Sequence, residues 1–125
     1  MKVTTGVDIV KVSRIEEILE KQDGFMSRVF TQNEIEYCIN AKAHKYESFA
    51  ARFAAKEAVF KALNVNSSDN TVEWKDIEVI NKETGRPKIV LKGKFEKYID
   101  NICNIDVSLS HEKQMAVASV AILWK

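Results

Sequence analysis

The stretch YESFAARFAAKEAVFKAL, Tyr46 to Leu63, constrains this chain more than any other part of it. It is rich in alanine, holds neither glycine nor proline, and is apolar around most of its circumference, so it predicts a long helix buried on nearly every side. Such a helix must be covered by other elements, and the rest of the chain supplies them in the order strand, helices, hairpin, helix, hairpin. The expected fold class is α+β, a mainly antiparallel sheet packed on a long central helix. A length of 125 residues suits a single domain spanning 1–125, large enough for a real core and too small to split in two.

The flanking segments carry their own signals. Val3, Thr5, Val7 and Ile9 alternate with Thr4, Gly6, Asp8 and Val10, an opening strand with two different faces and Asp8 opposite the valines. Ser13 with Glu16, and Thr31 with Glu34, have the spacing of capping boxes and predict two helix starts; Gly24 ends the first helix. WKDIEVIN and PKIVLKG flank KETGR as a hairpin, GKFEKYIDNIC has helical spacing, and DVSLS with MAVASVAILW closes the chain as two strands. The last strand is apolar on both faces through Val117, Val120, Ile122 and Leu123, which places it centrally or against another subunit.

Hydrophobic residues make up 46% and charged residues 30%, inside the globular range, and the formal net charge of +1 gives no global pull toward nucleic acid or an anionic membrane. No apolar run is long enough for a membrane span or a signal peptide. Cys38 and Cys103 have no CxxC spacing and lie in apolar segments, so buried free thiols and a reducing, cytoplasmic location are expected.

Glu57 is the residue least at ease in its surroundings, with Phe53, Ala54, Phe60 and Lys61 as its helical neighbours. A carboxylate there needs a cation, and two readings are open: an ion pair with Lys61 one turn on, or a metal. Asp8 bears on the choice. Aspartate is disfavoured inside strands, and Gly6 permits another group to come close to the backbone, although an edge-strand or turn role is equally open to Asp8. Two carboxylates on neighbouring elements suit magnesium, which completes its octahedron with water and substrate phosphates, and so imply a phosphate-bearing substrate. The glycine turn KETGRPK sets Arg86 and Lys88 beside Gly85 and Pro87, where backbone amides and cations can meet a phosphate. In DVSLSHEKQ, Ser110 and His111 fall on opposite strand faces and do not pair as nucleophile and base. On the first helix Arg14, Ile18 and Lys21 share a stripe, with Phe25 and Arg28 beyond, which fits either an acidic amphipathic partner or an ordinary solvated edge.

GVDIVKVSRI, RFAAKEAVFKAL, NKETGRP and SLSHEKQMAVASVAIL form, in order and spacing, a set that closely resembles the holo-acyl-carrier-protein synthases, the small single-domain phosphopantetheinyl transferases. The resemblance implies the 4'-phosphopantetheinyl transferase fold. It also implies transfer of the phosphopantetheine arm from coenzyme A to a serine of an acyl-carrier protein, in support of fatty acid biosynthesis, with Mg2+ as cofactor. By the same resemblance Asp8 and Glu57 are the magnesium ligands, and Lys61 stands beside the coenzyme A phosphates. Gly85, Arg86, Pro87, Ser110 and His111 line the nucleotide side, and Arg14, Ile18, Lys21 and Phe25 dock the carrier. A homotrimer with active sites between subunits is implied too. One departure stands out: Asn64, Val65 and Asn66 occupy the place of a glycine-containing turn, and asparagine tolerates positive φ better than most residues.

The implied reaction is attack of the carrier serine on the β-phosphate of coenzyme A, releasing adenosine 3',5'-bisphosphate, with Glu57 and Lys61 as catalytic residues. Either Glu57 or a metal-bound water accepts the serine proton. A non-catalytic module holding an acidic partner on the first helix is the competing reading. General nucleotide binding by the G-R-P hairpin ranks below both, for want of a Walker or Rossmann fingerprint.

Overall fold

Strand β1, Lys2–Lys11, opens the computed structural model, which describes residues 1–69 and 71–125. Helices α1 (Val12–Lys21), α2 (Phe25–Val29) and α3 (Gln32–Asn40) follow, then the long α4 (Lys45–Leu63). The hairpin β2 (Ile77–Asn81) and β3 (Pro87–Leu91) comes next, and a 3-10 segment at Gly93–Asn101 leads to β4 (Ile102–His111) and β5 (Met115–Trp124). The architecture is the expected α+β one, with both sheets antiparallel: one ordered β1-β5-β4, the other the β2-β3 hairpin.

The two-sided apolar strand β5 is the central one. Its residues Ala116, Ala118, Val120 and Ile122 face α4 and are fully buried. Helix α4 lies across β1 and β5, and its alanines Ala51, Ala54, Ala55, Ala58 and Ala62 are all buried, which lets the helix approach the sheet closely. The approach is tightest at Gly6, where a Cβ would stand 1.9 Å from the carbonyl oxygen of Ala58. Glycine is required there because the space belongs to the helix backbone, as Gly6 was expected to allow.

Charges inside α4 tie it to the other side of the fold. Lys56 is 0% exposed; its ammonium reaches Glu34 of α3 at 2.9 Å and donates to the carbonyls of Trp74 and Ile77. Burial lowers the Lys56 pKa, and the Glu34 carboxylate opposes that shift. Glu34 also accepts from the backbone amides of Thr31 and Val79, so one carboxylate caps α3, anchors β2 and holds the lysine.

Four expectations need correction. The Ser13–Glu16 capping box does not form: Val12 N–H bonds the Gln114 carbonyl, β1 runs on to Lys11, and α1 begins before Ser13 can cap it. The first strand of the hairpin starts at Ile77, with Trp74–Asp76 as a 3-10 turn. GKFEKYIDN is a 3-10 rather than an α segment. Cys38 is buried as expected, its thiol pushed up in pKa by that burial, but Cys103 is exposed beside an irregularity in the β4–β5 ladder between Ile102 and Asn104.

Candidate active site

Because β1 alternates, the face carrying Gly6 also carries Asp8, and the close contact at Gly6 sets the adjoining turn of α4 beside it. Glu57 and Lys61 lie on that turn. Lys61 donates to Asp8 Oδ1 at 3.3 Å and to the Val7 carbonyl at 2.8 Å, so the simple Glu57–Lys61 helix pair is not what the lysine makes. Glu57 is instead held by the Ser67 hydroxyl at 3.2 Å, from the segment after α4. Partial burial, and next the Asp8 charge, push the Glu57 carboxyl above its usual range, against the weaker pull of Ser67 and Lys61. Two carboxylates that repel each other, with Lys61 bonded to Asp8, offer two oxygen donors of the kind that suits a hard divalent cation. The residues present therefore fit magnesium.

The turn after α4 survives the replacement of glycine. Asn64 takes the left-handed conformation, φ 58° and ψ 43°, and the Val65 amide reaches back to the Phe60 carbonyl at 2.8 Å, closing the helix in the usual C-terminal way. This positions Ser67 to return to Glu57. A hollow of about 280 Å³ lined by Arg28, Ser67, Asp69 and Trp74 lies next to that contact, on the side of the helices expected to dock a carrier.

Of the docking residues, Arg14 and Lys21 are exposed and Ile18 is half-buried. Lys21 pairs with Glu17 at 3.1 Å, a solvated contact of little energetic weight. Phe25 is a correction: its ring is buried against Phe30 and Phe53, so it supports the surface from beneath and offers no contact area of its own.

The second group of expected residues gathers at β4 and the hairpin. Gly85 adopts φ 87°, its amide bonds the Lys82 carbonyl, and its carbonyl accepts from Asn81, a glycine turn that fixes Pro87 at the start of β3. Gly85, Pro87 and His111 line a cavity of about 200 Å³ with Tyr37, Arg52 and Asn81. Arg86 turns away to Asp106 at 3.4 Å, and Ser110 lies on the opposite face of β4. Neither lines the cavity.

Arg52 is the residue that sequence reasoning missed. It is buried, it lies over the Tyr37 ring with 4.0 Å from guanidinium carbon to centroid, and it donates to Asn81 and Ser48. Its Nε has no hydrogen-bond partner among the described residues. A guanidinium in the wall of a cavity beside a glycine turn is chemically suited to an anion. The test that singled out Glu57, a charge in an apolar helix, applies equally to Arg52 and would have found it.

The two groups flank α4. Arg52 and Glu57 are five positions apart, about 140° around the helix axis. The carboxylate pair lies by β1 and the Arg52–His111 cavity by β4, at opposite edges of the three-stranded sheet.

The Gly6 contact gives a direct test of this geometry. Gly6→Ala is expected to lower stability by about 3 kcal/mol, the upper part of the range for overpacking. It should also weaken any metal affinity of the pair, read by isothermal titration with magnesium under conditions where circular dichroism shows the variant folded. Unchanged stability and unchanged titration would refute the role given to this contact.

Comparison with known proteins gives a consistent picture. The family model described as "4'-phosphopantetheinyl transferase superfamily" matches residues 4–118. A holo-[acyl-carrier-protein] synthase of Ruminiclostridium cellulolyticum is 43% identical over 98% of this chain and 92% of its own, and one of a Geobacter species is 40% identical over 94% and 95%. Among solved structures, an ACPS-CoA complex of Chronobacterium ammoniagenes superposes with a TM-score of 0.87 at 25% identity, covering 100% of this chain and 99% of that one. A holo-(acyl-carrier-protein) synthase of Bacillus anthracis in complex with CoA (3',5'-ADP) gives 0.78 at 35% identity, over 95% and 94%.

Proposed function

Since the chain belongs to the 4'-phosphopantetheinyl transferase superfamily, we propose that it is a holo-acyl-carrier-protein synthase that moves the 4'-phosphopantetheine of coenzyme A to a serine of an acyl-carrier protein. The observation that carries this reading is the Asp8–Glu57 pair with Lys61 beside it, on a fold shared with enzymes solved with coenzyme A. Residues 1–125 act as one catalytic domain, in the cytoplasm, where the free thiols Cys38 and Cys103 stay reduced.

Asp8 and Glu57 would hold magnesium, whose charge, when bound, offsets that of the coenzyme A pyrophosphate. Lys61 leaves Asp8 for the phosphoryl oxygens and stabilises the charge that develops on them. The serine oxygen forms a bond to the β-phosphorus as Glu57 or a water takes up the hydroxyl proton, the bond from that phosphorus to the bridging oxygen breaks, and adenosine 3',5'-bisphosphate departs. No covalent enzyme intermediate is required. Arg52, His111 and the Gly85–Pro87 turn take the nucleotide end, and Arg14, Ile18, Lys21 and Arg28 receive the carrier, Phe25 packing beneath them.

Two features support a trimer with active sites between subunits. Val3, Val7 and Ile9 of β1 are 62%, 58% and 62% exposed, an apolar row on the sheet face away from α4. The carboxylate pair and the nucleotide cavity also lie on opposite flanks of α4, so a second copy is the natural way to bring one of each together. Ile9→Asp should therefore yield a monomer by analytical ultracentrifugation and lose nearly all transfer; a monomer with full activity would end the interfacial reading.

The reaction itself is tested by mass spectrometry of an apo-acyl-carrier protein incubated with this protein, coenzyme A and magnesium. A gain of one phosphopantetheine, abolished by chelator, is expected. No gain with folded enzyme overturns the function, and full gain in chelator overturns the magnesium requirement alone.

A further inference from the structure

The chain has two histidines, and both meet the same carboxylate oxygen. Glu47 Oε2 lies 3.3 Å from His44 Nδ1, in hydrogen-bond geometry, and 3.2 Å from His111 Nδ1, an ion-pair distance. Glu47 belongs to the first turn of α4, where a carboxylate is favoured by the helix dipole and a cationic imidazole such as His44, at the N-cap, is not. His111 is the last residue of β4 and borders the cavity that holds Arg52. Glu47 is the most covered of the three, with 17% of its side chain exposed against 41% for His111 and 73% for His44.

We propose that Glu47 is a positioning residue for His111, fixing Nδ1 as the protonated nitrogen and leaving Nε2 for the ligand of the Arg52 cavity. A carboxylate can only accept, so the nitrogen against it must carry the proton. The hydrogen bond made by one ring nitrogen sets the state and direction of the other. With Nδ1–H committed to Glu47, the ring is held by a helix that also bears Arg52, one and a half turns on. Protonated, His111 then has one donor left, Nε2–H, which an anionic oxygen of the nucleotide can take up in the cavity that Arg52 also lines. This inference rests on the reading that the cavity receives the nucleotide part of coenzyme A.

The test combines nitrogen-15 NMR of the imidazoles with kinetics of the full-length enzyme. In neutral His111 of the wild type, Nδ1 should show the shift of a protonated ring nitrogen, and in Glu47→Ala that signature should be lost. The same variant should raise KM for coenzyme A about tenfold, the loss expected for one hydrogen bond to a charged group, with kcat little changed. Glu47→Gln, whose amide oxygen still accepts from Nδ1, should keep the signature and most of the affinity. An unchanged His111 spectrum or an unchanged KM in Glu47→Ala overturns the proposal. His111→Ala separates the two levels of failure. If it raises KM while Glu47→Ala does not, only the role of Glu47 falls. If it leaves KM unaltered, the coenzyme reading of the cavity falls and takes the proposal with it.

Discussion

Asp8→Ala and Glu57→Ala are each expected to lower transfer by about a thousandfold, the scale on which removing one group that stabilises developing charge acts in enzymes. The two losses should not add, because each carboxylate alone is too poor a donor set to hold a divalent cation. Folding should survive: Asp8 is partly exposed in a strand whose backbone pairing is untouched, and Glu57 gives up only the Ser67 contact. Asp8→Ala also frees Lys61 from its carboxylate, so any loss from that variant is not a loss of the lysine. The measurement is the rate of carrier mass gain across magnesium concentrations. Wild-type rates in both variants would remove the pair from the active site.

The second large effect concerns stability. Lys56→Met should cost about 3–5 kcal/mol, the usual consequence of stripping one partner from a buried ion pair. Glu34 would remain fully buried without its cation, although the amides of Thr31 and Val79 still reach it. Against a total stability of about 5–15 kcal/mol, that loss is enough to lower the melting temperature by roughly 10–20 °C. The double variant Lys56→Met with Glu34→Leu should recover much of it, since a well-packed apolar pair can replace a buried ion pair at little net cost. A single variant that melts with the wild type would show that the pair contributes nothing.

Residue patterning made most of the fold legible. The composition of α4 predicted its burial, the alternation of β1 placed Asp8 and Gly6 on one face, and the two apolar faces of β5 marked it as either central or set against another subunit, the first of which the sheet order shows. Capping shows where local signals stop. Thr31–Glu34 forms the box because Glu34 is held from several sides, by Lys56 and Val79 as well as by Thr31. Ser13–Glu16 has the same spacing and fails, because a long-range bond from Val12 to Gln114 carries the chain past the capping position.

At the site, sequence reasoning brought together Asp8, Glu57 and Lys61, and Gly85, Pro87 and His111. What it could not supply was contact between distant segments. Glu47 meets His111 across 64 positions of chain, and Ser67 returns to Glu57 only through the left-handed turn at Asn64. Phe25 was misplaced for a related reason: an aromatic residue beside a basic stripe looks the same whether its ring points up or down, and only Phe30 and Phe53 decide it.

The contact between Gly6 and Ala58 has a consequence for how such a protein can change over generations. Most cores drift by trading volume between neighbours, a larger side chain here against a smaller one there. At this seam there is nothing to trade, because main chain meets main chain and both sides have already shed their side chains or reduced them to methyl groups. The distance between strand and helix is thus a gauge that ordinary sequence drift cannot reset. The contact fixes the spacing between the strand that carries Asp8 and the helix that carries Glu57, so the durable part of this candidate site is a separation rather than a set of side chains.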